Sequence, residues 1–176
     1  VITTALRDEI LRADSPSNLL HELNQRLLPR MRQNNMNSGL LITIFDPLTR
    51  MAEIAAGGML SPYVRKGTNG TAWQEVEVSG YPLGAAEYSS YRAESLTLSP
   101  ESLIVFVTDG VIEAKDRNDN LFGFERFEAL LAAQPSSATA EEIADNILEA
   151  VRAHLDGQDA QDDITIVVLK ALPQAR

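Results

Sequence analysis

The stretch that decides the fold is Leu103-Ile104-Val105-Phe106-Val107-Thr108-Asp109-Gly110, an apolar run that ends in an acidic turn. A second stretch, Asp162-Asp163-Ile164-Thr165-Ile166-Val167-Val168-Leu169, has the reverse order, with two carboxylates before the apolar run. Apolar, β-branched runs of this length are typical of buried strands. If the two strands pair antiparallel, Asp109 at the end of one meets Asp162 and Asp163 at the start of the other. Such a set of hard oxygen ligands suits Mg²⁺ or Mn²⁺.

The same residues also fit a purely structural interpretation. Asp-Gly is a common turn dipeptide, and an acidic pair before a strand is often a solvated boundary. Glu113 and Lys115, which follow the acidic turn, are interpreted as solvated residues at the exit of the strand. Residue types alone therefore leave a metal site and a solvated turn open as alternatives.

Composition narrows the class of protein. The chain has 176 residues, 44% of them hydrophobic, which is ample for one core and short for two. Its 25 acidic and 15 basic residues give a formal net charge of -10, which argues against a nucleic-acid partner and against an anionic membrane surface. It has no cysteine, which excludes disulfides, a thiolate nucleophile and a zinc-thiolate site. No apolar run approaches the roughly 20 residues of a membrane span, and the first residues do not resemble a signal peptide, so we expect a cytoplasmic protein.

Apolar residues at helical spacing predict two helices near each end of the chain. The first covers residues 1–12, with Ile2, Leu6 and Ile10 in its stripe, and the second begins at the Ser15-Pro16 start signal and covers residues 16–31. The other two are predicted from Phe124, Phe127 and Leu131, and from the stripe Ile143, Ile147, Val151 and Leu155 after a capping box of Thr139 and Glu142.

Seven strands are predicted from short apolar and β-branched runs that glycine, proline and serine separate. They cover residues 40–45, 51–56, 63–66, 73–78, 91–98, 103–108 and 164–169. Helices and strands do not alternate as they would in a doubly wound parallel sheet. The predicted fold class is therefore α+β, with two antiparallel β-sheets in a sandwich flanked by pairs of helices.

Five motifs, in this order, resemble those of bacterial metal-dependent protein serine/threonine phosphatases (the PPM family), and the SpoIIE-like branch most closely. They are Ala56-Gly57-Gly58-Met59-Leu60-Ser61-Pro62, Pro82-Leu83-Gly84, Thr108-Asp109-Gly110-Val111-Ile112-Glu113-Ala114, Leu121-Phe122-Gly123-Phe124-Glu125-Arg126-Phe127 and Asp162-Asp163-Ile164-Thr165. The resemblance extends from the first helix to the last strand. An ordered set of motifs is far more specific than any one of them.

This resemblance implies a phosphatase of signal transduction and stress response, in which a metal-activated water hydrolyses phosphoserine or phosphothreonine on a regulatory protein. The implied substrate is a phosphorylated protein such as an anti-anti-sigma factor. Two Mn²⁺ or Mg²⁺ ions are implied, with Asp109 and Asp162 as the expected ligands and Asp163 as a further candidate. The implied edge of the active site consists of Gly57, Gly58, Gly84 and Gly110.

Two departures from the family pattern bear on activity. The Gly-Asp strands and the Asp-x-x-Gly-His-Gly turn, which provide the bridging aspartates in the family, are not found near Val1. We therefore expect residues 1–176 to be a single SpoIIE-like domain, truncated at its N-terminus, with half of the metal site and little activity by itself. Gly58 stands where this branch commonly has histidine. The alternative is a catalytically inactive phosphatase-like module that binds a partner or relays a signal.

The stripe of the first helix also bears on assembly. Without the strands expected before it, Ile2, Leu6 and Ile10 leave an apolar surface that a second copy of the chain can cover. We expect a homodimer, either with this helix and the stripe of the second helix at a two-fold interface or with this helix exchanged between subunits. The alternative is a monomer in which the helix folds back on its own sheet.

Overall fold

The computed structural model describes residues 2–10, 13–67 and 72–173. The chain forms two compact units, one of Val1–Ser61 with Glu77–Thr97 and the other of Pro62–Val76 with Leu98–Arg176. Each unit has one antiparallel sheet and its own helices, which confirms the predicted α+β class and the two antiparallel sheets. Among the described helices, none combines the length and the apolar character needed to cross a membrane.

The helices and strands follow one another in the predicted order, with one additional short helix. They are α1 (Ile2–Glu9), α2 (Pro16–Gln33), β1 (Leu40–Asp46), β2 (Met51–Gly57), β3 (Tyr63–Arg65), β4 (Trp73–Glu75), β5 (Ala93–Thr97), β6 (Leu103–Val107), α3 (Asp109–Ile112), α4 (Gly123–Ala132), α5 (Ala140–Leu155) and β7 (Ile166–Lys170).

The first unit consists of α1 and α2 with a sheet in the order β1-β2-β5. The Ser15 hydroxyl accepts the Asn18 N–H at 3.2 Å, and Pro16 occupies the first turn, so α2 begins where the sequence predicts. The predicted stripe of α2 is buried: Leu20, Leu23, Leu27 and Met31. Because α2 packs on β1 and β2, this stripe forms the core of the unit.

The first helix differs from the prediction at its end. It ends at Glu9, so Ile10 lies beyond it and is 53% exposed, whereas Ala5 is buried. Ile2 and Leu6 are partly buried against the core of the first unit, which favours the fold-back alternative for these two residues. Val1, Leu11 and Arg12 of the predicted helix lie outside the described residues. Self-association stays a prediction.

The predicted hairpin of β1 and β2 is confirmed, and an aspartate shapes its turn. The Asp46 carboxylate accepts the Leu48 N–H at 2.8 Å and the Thr49 hydroxyl at 2.7 Å. These hydrogen bonds, that of Thr49 first, lower the pKa of the Asp46 carboxyl. Pro47 is the first residue after β1, where its fixed φ suits the turn.

The second unit has a four-stranded sheet in the order β4-β3-β6-β7, with α5 packed on β7. The capping box is present: the Thr139 N–H donates to Glu142 Oε2 at 2.8 Å, and the Glu142 N–H donates to Thr139 Oγ1 at 3.1 Å. The predicted stripe of α5 is buried: Ile143, Ile147, Val151 and Leu155. Local capping and helical periodicity therefore predicted this helix correctly.

Two details of the second unit were not predicted. The segment after β6 forms one helical turn, α3, in which the Glu113 N–H donates to the Asp109 carbonyl at 2.7 Å. Phe124 is 48% exposed, whereas Phe127 is fully buried and meets Tyr63 edge to face at 5.5 Å. Burial on α4 thus begins one turn later than its apolar spacing suggests.

Candidate metal centre

The two acidic stretches meet because β6 and β7 pair antiparallel. The register places Val107 opposite Ile166, so the end of β6 lies beside the start of β7. Asp109 follows β6, and Asp162 and Asp163 precede β7. The antiparallel pairing on which the predicted metal site depends is therefore confirmed.

Thr108 fastens the end of β6 to the segment before β7. Its Oγ1 donates to the Asp163 carbonyl at 2.9 Å and accepts the Thr165 N–H at 2.9 Å, while its own N–H donates to the Thr165 carbonyl at 3.1 Å. The Thr165 N–H thus donates to the Thr108 side chain, and β7 begins at Ile166 rather than at the predicted residue 164. Thr108 belongs to the third of the five sequence motifs, but its residue type alone did not predict this role of its hydroxyl.

Gly110, the second residue of α3, lies directly against the same segment. A Cβ added to Gly110 would be 2.5 Å from the Asp163 carbonyl oxygen and 3.3 Å from the Asp162 carbonyl oxygen. Gly110 is buried, although Asp109 beside it is exposed. Only a residue without a side chain permits this approach of two backbone segments. The approach keeps Asp109 near the Asp162–Asp163 peptide.

The carboxylates of this junction are exposed and only partly engaged. Asp109 Oδ1 accepts the Gly110 N–H at 3.1 Å, and Asp162 Oδ1 accepts the Asp163 N–H at 2.7 Å. Within the described ranges, Oδ2 of these two residues and the whole carboxylate of Asp163 have no hydrogen bond or ion pair. These oxygens are free to contact a cation.

The donor set suits a hard divalent cation but does not complete its coordination. Exposed carboxylate oxygens are what Mg²⁺ and Mn²⁺ prefer, and carboxylates brought close together favour a cation between them. Residues 2–10, 13–67 and 72–173 contain no group of three or more His, Cys, Asp and Glu side chains arranged to hold a metal. Asp109, Asp162 and Asp163 stay predicted ligands.

The predicted glycines of the active-site edge are divided between the units, with Gly57, Gly58 and Gly84 in the first and Gly110 in the second. Gly58 has φ +67°, and an added Cβ would lie 2.4 Å from Pro82 Cγ. Both features require glycine, so histidine cannot replace it unless the backbone or Pro82 moves. That the four glycines form one edge stays a prediction.

A buried asparagine, for which no sequence pattern predicted a role, holds the loop around Gly84. Asn24 on α2 is fully buried, accepts the Gly84 N–H at 2.9 Å and donates to the Ala86 carbonyl at 2.9 Å. Gln25 donates to the Glu87 carbonyl at 2.9 Å. Because a buried amide requires partners, these bonds fix the loop on the helix. The sequence signal that could have identified Asn24 is its position next to Leu23, where a polar residue lies on the apolar side of the predicted helix.

A known protein family matches nearly the whole chain. The family model described as stage II sporulation protein E (SpoIIE) matches residues 1–172. The chain belongs to the SpoIIE family. This membership confirms the resemblance that the five motifs indicated, and it associates the chain with the fold of PPM-type protein phosphatases.

The chain is also similar to individual proteins and solved structures. It is 32% identical over 91 residues to protein IcfG of Synechocystis sp., a match that covers 52% of this chain and 14% of IcfG. It shares the fold of the SiaA-PP2C domain of Pseudomonas aeruginosa, with a TM-score of 0.79, 19% identity, and coverage of 96% of this chain and 67% of that one. For the manganese-presoaked phosphatase domain of SpoIIE from Bacillus subtilis, the TM-score is 0.67 and the identity 16%, with coverage of 99% and 75%. At these identities the two structures show the fold alone.

Proposed function

We propose that this member of the SpoIIE family is the catalytic part of a metal-dependent protein serine/threonine phosphatase. The observation that carries the proposal is the junction of β6 and β7, where Thr108 and Gly110 hold Asp109 beside Asp162 and Asp163. Hydrolysis of phosphoserine or phosphothreonine on a regulatory protein is the proposed reaction. The family match over residues 1–172 supports one phosphatase domain that comprises both units.

Mn²⁺ or Mg²⁺ is the proposed cofactor because the donors at the junction are carboxylate oxygens. Asp109 and Asp162 would hold it, with Asp163 as the further candidate. A bound divalent ion supplies positive charge that stabilises the phosphoryl group during hydrolysis. Such charge would offset the repulsion between the exposed carboxylates and a phosphate monoester. Two ions require more ligands than the described residues provide.

The contribution of the chain is to place its donors rigidly. The N–H groups of Gly110 and Asp163 each bind Oδ1 of the preceding aspartate, so these carboxylates have a defined orientation. Thr108 fixes the backbone before β7 at two points. Positioning by such neighbours raises the affinity of a metal site without adding ligands.

A phosphoprotein is the proposed substrate, and an anti-anti-sigma factor is the specific candidate. Support comes from family membership and from similar structures that are themselves called phosphatase domains, one of them from a cell fate determinant. The formal net charge of -10 makes a nucleic-acid substrate a poor alternative.

Phosphate release from a serine-phosphorylated anti-anti-sigma factor, with and without added Mn²⁺, tests the proposal. We expect Mn²⁺-dependent release by the full-length parent protein and a loss of about 100-fold when Asp109→Asn or Asp162→Asn is introduced into it. Asp145→Asn is the matched control because Asp145 is exposed on α5, and its activity should equal that of the wild type.

The alternative is the inactive phosphatase-like module, and the incomplete ligand set favours it. It predicts that no phosphoserine protein is dephosphorylated with Mn²⁺ and that Asp109→Asn behaves as the wild type does. That combination of results would refute the proposed phosphatase. If Asp145→Asn abolishes phosphate release as completely as Asp109→Asn and Asp162→Asn do, the assignment of the site is refuted.

A further inference from the structure

A groove in the second unit lies between the edge strand β4 and the helix α4, and we call it the β4–α4 groove. Its cavity is about 380 Å³. The residues that line it are Tyr63, Ala72, Trp73, Glu75, Glu128 and Ala132. It combines two aromatic rings with two carboxylates, which is the chemistry that binds organic cations.

The strand register explains why these side chains share one groove. Tyr63 pairs with Glu75, and Arg65 pairs with Trp73, so alternate residues of β3 and β4 lie on one face of the sheet. Glu128 approaches the same face from α4 and accepts the Tyr63 hydroxyl at 2.8 Å. Burial is the largest cause that raises the pKa of Tyr63, and the carboxylates of Glu128 and Glu75 raise it further. The phenol therefore stays neutral and adds no charge of its own.

The carboxylates of this groove have no cationic partner. In residues 2–10, 13–67 and 72–173, neither Glu75 nor Glu128 forms an ion pair. Arg65 lies over the Trp73 ring at 5.2 Å, but its guanidinium donates to the carbonyls of residues 134–136 at 3.1–3.3 Å. These three carbonyls hold the Arg65 guanidinium, and it forms no ion pair with Glu75 or Glu128 in the part of the chain that the structure describes.

The groove also borders a free strand edge. β4 pairs with β3 alone among the described strands, so its other edge can accept backbone hydrogen bonds from an added strand. Trp73 and Glu75 are two residues apart and project from the same face of β4. An extended peptide along this edge would place every second side chain over that face.

We propose that the β4–α4 groove binds an arginine or lysine side chain from an extended basic segment of a partner protein. The carboxylates of Glu75 and Glu128 pair with the cation, and the Tyr63 and Trp73 rings contact its stem. The strand edge favours a protein segment over a free amine. A second copy of this chain is a poor occupant because each copy carries a formal net charge of -10. The proposal does not depend on the phosphatase activity.

Trp73 makes the test direct, because it is the single tryptophan of the chain and its fluorescence reports the groove. The probe is a capped seven-residue peptide that alternates valine and arginine, titrated at low salt. The neutral control replaces each arginine by citrulline, which has nearly the same shape, and a second control is N-acetylarginine amide. We expect saturable binding of the arginine peptide and at least about tenfold weaker binding of both controls. Added salt should weaken the arginine peptide.

Variants locate the binding. Glu75→Gln with Glu128→Gln should weaken the arginine peptide about five- to tenfold, and glutamine keeps an acceptor for the Tyr63 hydroxyl. The matched control, Glu22→Gln with Glu149→Gln, removes the same charge at two exposed positions and should bind within about twofold of the wild type. If the first double variant fails to fold by circular dichroism, Glu75→Gln alone replaces it, since Glu75 is exposed and accepts no side-chain hydrogen bond in the described chain.

Three results would overturn the proposal. Equal binding of the citrulline peptide would exclude recognition of a cation. Equal binding of N-acetylarginine amide would exclude a protein segment as the specific ligand. Equal weakening by the control variant, or no saturable change in Trp73 fluorescence, would exclude the groove as the site.

Discussion

Replacing Gly110 by alanine tests whether close backbone packing builds the candidate metal centre. The added Cβ would lie 2.5 Å from the Asp163 carbonyl oxygen and 3.0 Å from the Asp163 carbonyl carbon, where ordinary contacts begin at 3.4 Å. The obstructing atoms belong to the backbone, and Thr108 fixes that backbone through its hydroxyl. The clash therefore cannot be relieved by rotating a side chain.

Two effects of opposite sign decide the outcome for Gly110→Ala. Alanine favours a helical position over glycine by up to about 1 kcal/mol. Overpacking of a closely packed contact costs about 1–3 kcal/mol, and a required shift of several tenths of an ångström against backbone belongs near the upper part of that range. We expect the free energy of unfolding to fall by about 1–2 kcal/mol. Affinity for Mn²⁺ should fall as well, because Asp109 and Asp163 must move apart.

Urea unfolding followed by circular dichroism measures the stability of the Gly110→Ala variant, and calorimetric titration measures its Mn²⁺ affinity. The control is Gly123→Ala, where φ is +77° and no atom lies within 4 Å of the added Cβ. It should lose about 1 kcal/mol through backbone conformation alone and keep the Mn²⁺ affinity of the wild type. A Gly110→Ala protein as stable as the wild type, with unchanged Mn²⁺ affinity, would refute the close-packing explanation.

Three further predictions concern single contacts in the second unit. Thr108→Val should lower the free energy of unfolding by about 1–2 kcal/mol, and Thr108→Ser should lower it by less because serine retains the hydroxyl. Equal losses for the two variants in urea unfolding would contradict the role of Oγ1. Arg65→Met should cost about 2–4 kcal/mol in the same assay, since it leaves three carbonyls of residues 134–136 without their buried donor; a neutral effect would disprove this. Hydrogen bonds from Thr139, the backbone one first, lower the pKa of Glu142 below its usual value of 4.5. The stabilising contribution of the ionised Glu142 carboxylate is therefore present above pH 4.5 and is lost as pH falls through the folded pKa. The difference in free energy of unfolding between the wild type and Glu142→Gln should shrink over that range. A constant difference from pH 7 to pH 3 would contradict this prediction.

Sequence patterns predicted the elements whose signals are local. The capping box of Thr139 and Glu142 and the stripe of α5 needed only residues within one helix, and both are confirmed. The Ser15-Pro16 start of α2 and the hairpin around Pro47 are likewise settled within a few residues of chain. Their geometry depends on helical or strand periodicity, which the order of residue types encodes.

Patterns failed where a distant contact overrides local preference. Ile10 continues the helical spacing of α1 but lies beyond its end, and Phe124 continues that of α4 but remains half exposed. Burial depends on which neighbours the fold supplies, and apolar spacing does not contain that information. The same reason explains the missed hydroxyl of Thr108, whose two partners are 55 and 57 residues away in the chain.

The sequence by itself determined the α+β class, the order of its elements, membership of the SpoIIE family through five ordered motifs, and which carboxylates to examine. Only the tertiary structure decided that Asp109 meets the Asp162–Asp163 turn through a Thr108 hydroxyl and a Gly110 without a side chain. It also decided that Gly58 has a backbone conformation and a Pro82 contact that histidine cannot adopt unchanged. The physical reason is that residue types specify short-range periodicity and chemistry, whereas a site depends on distances between segments that are far apart in the chain.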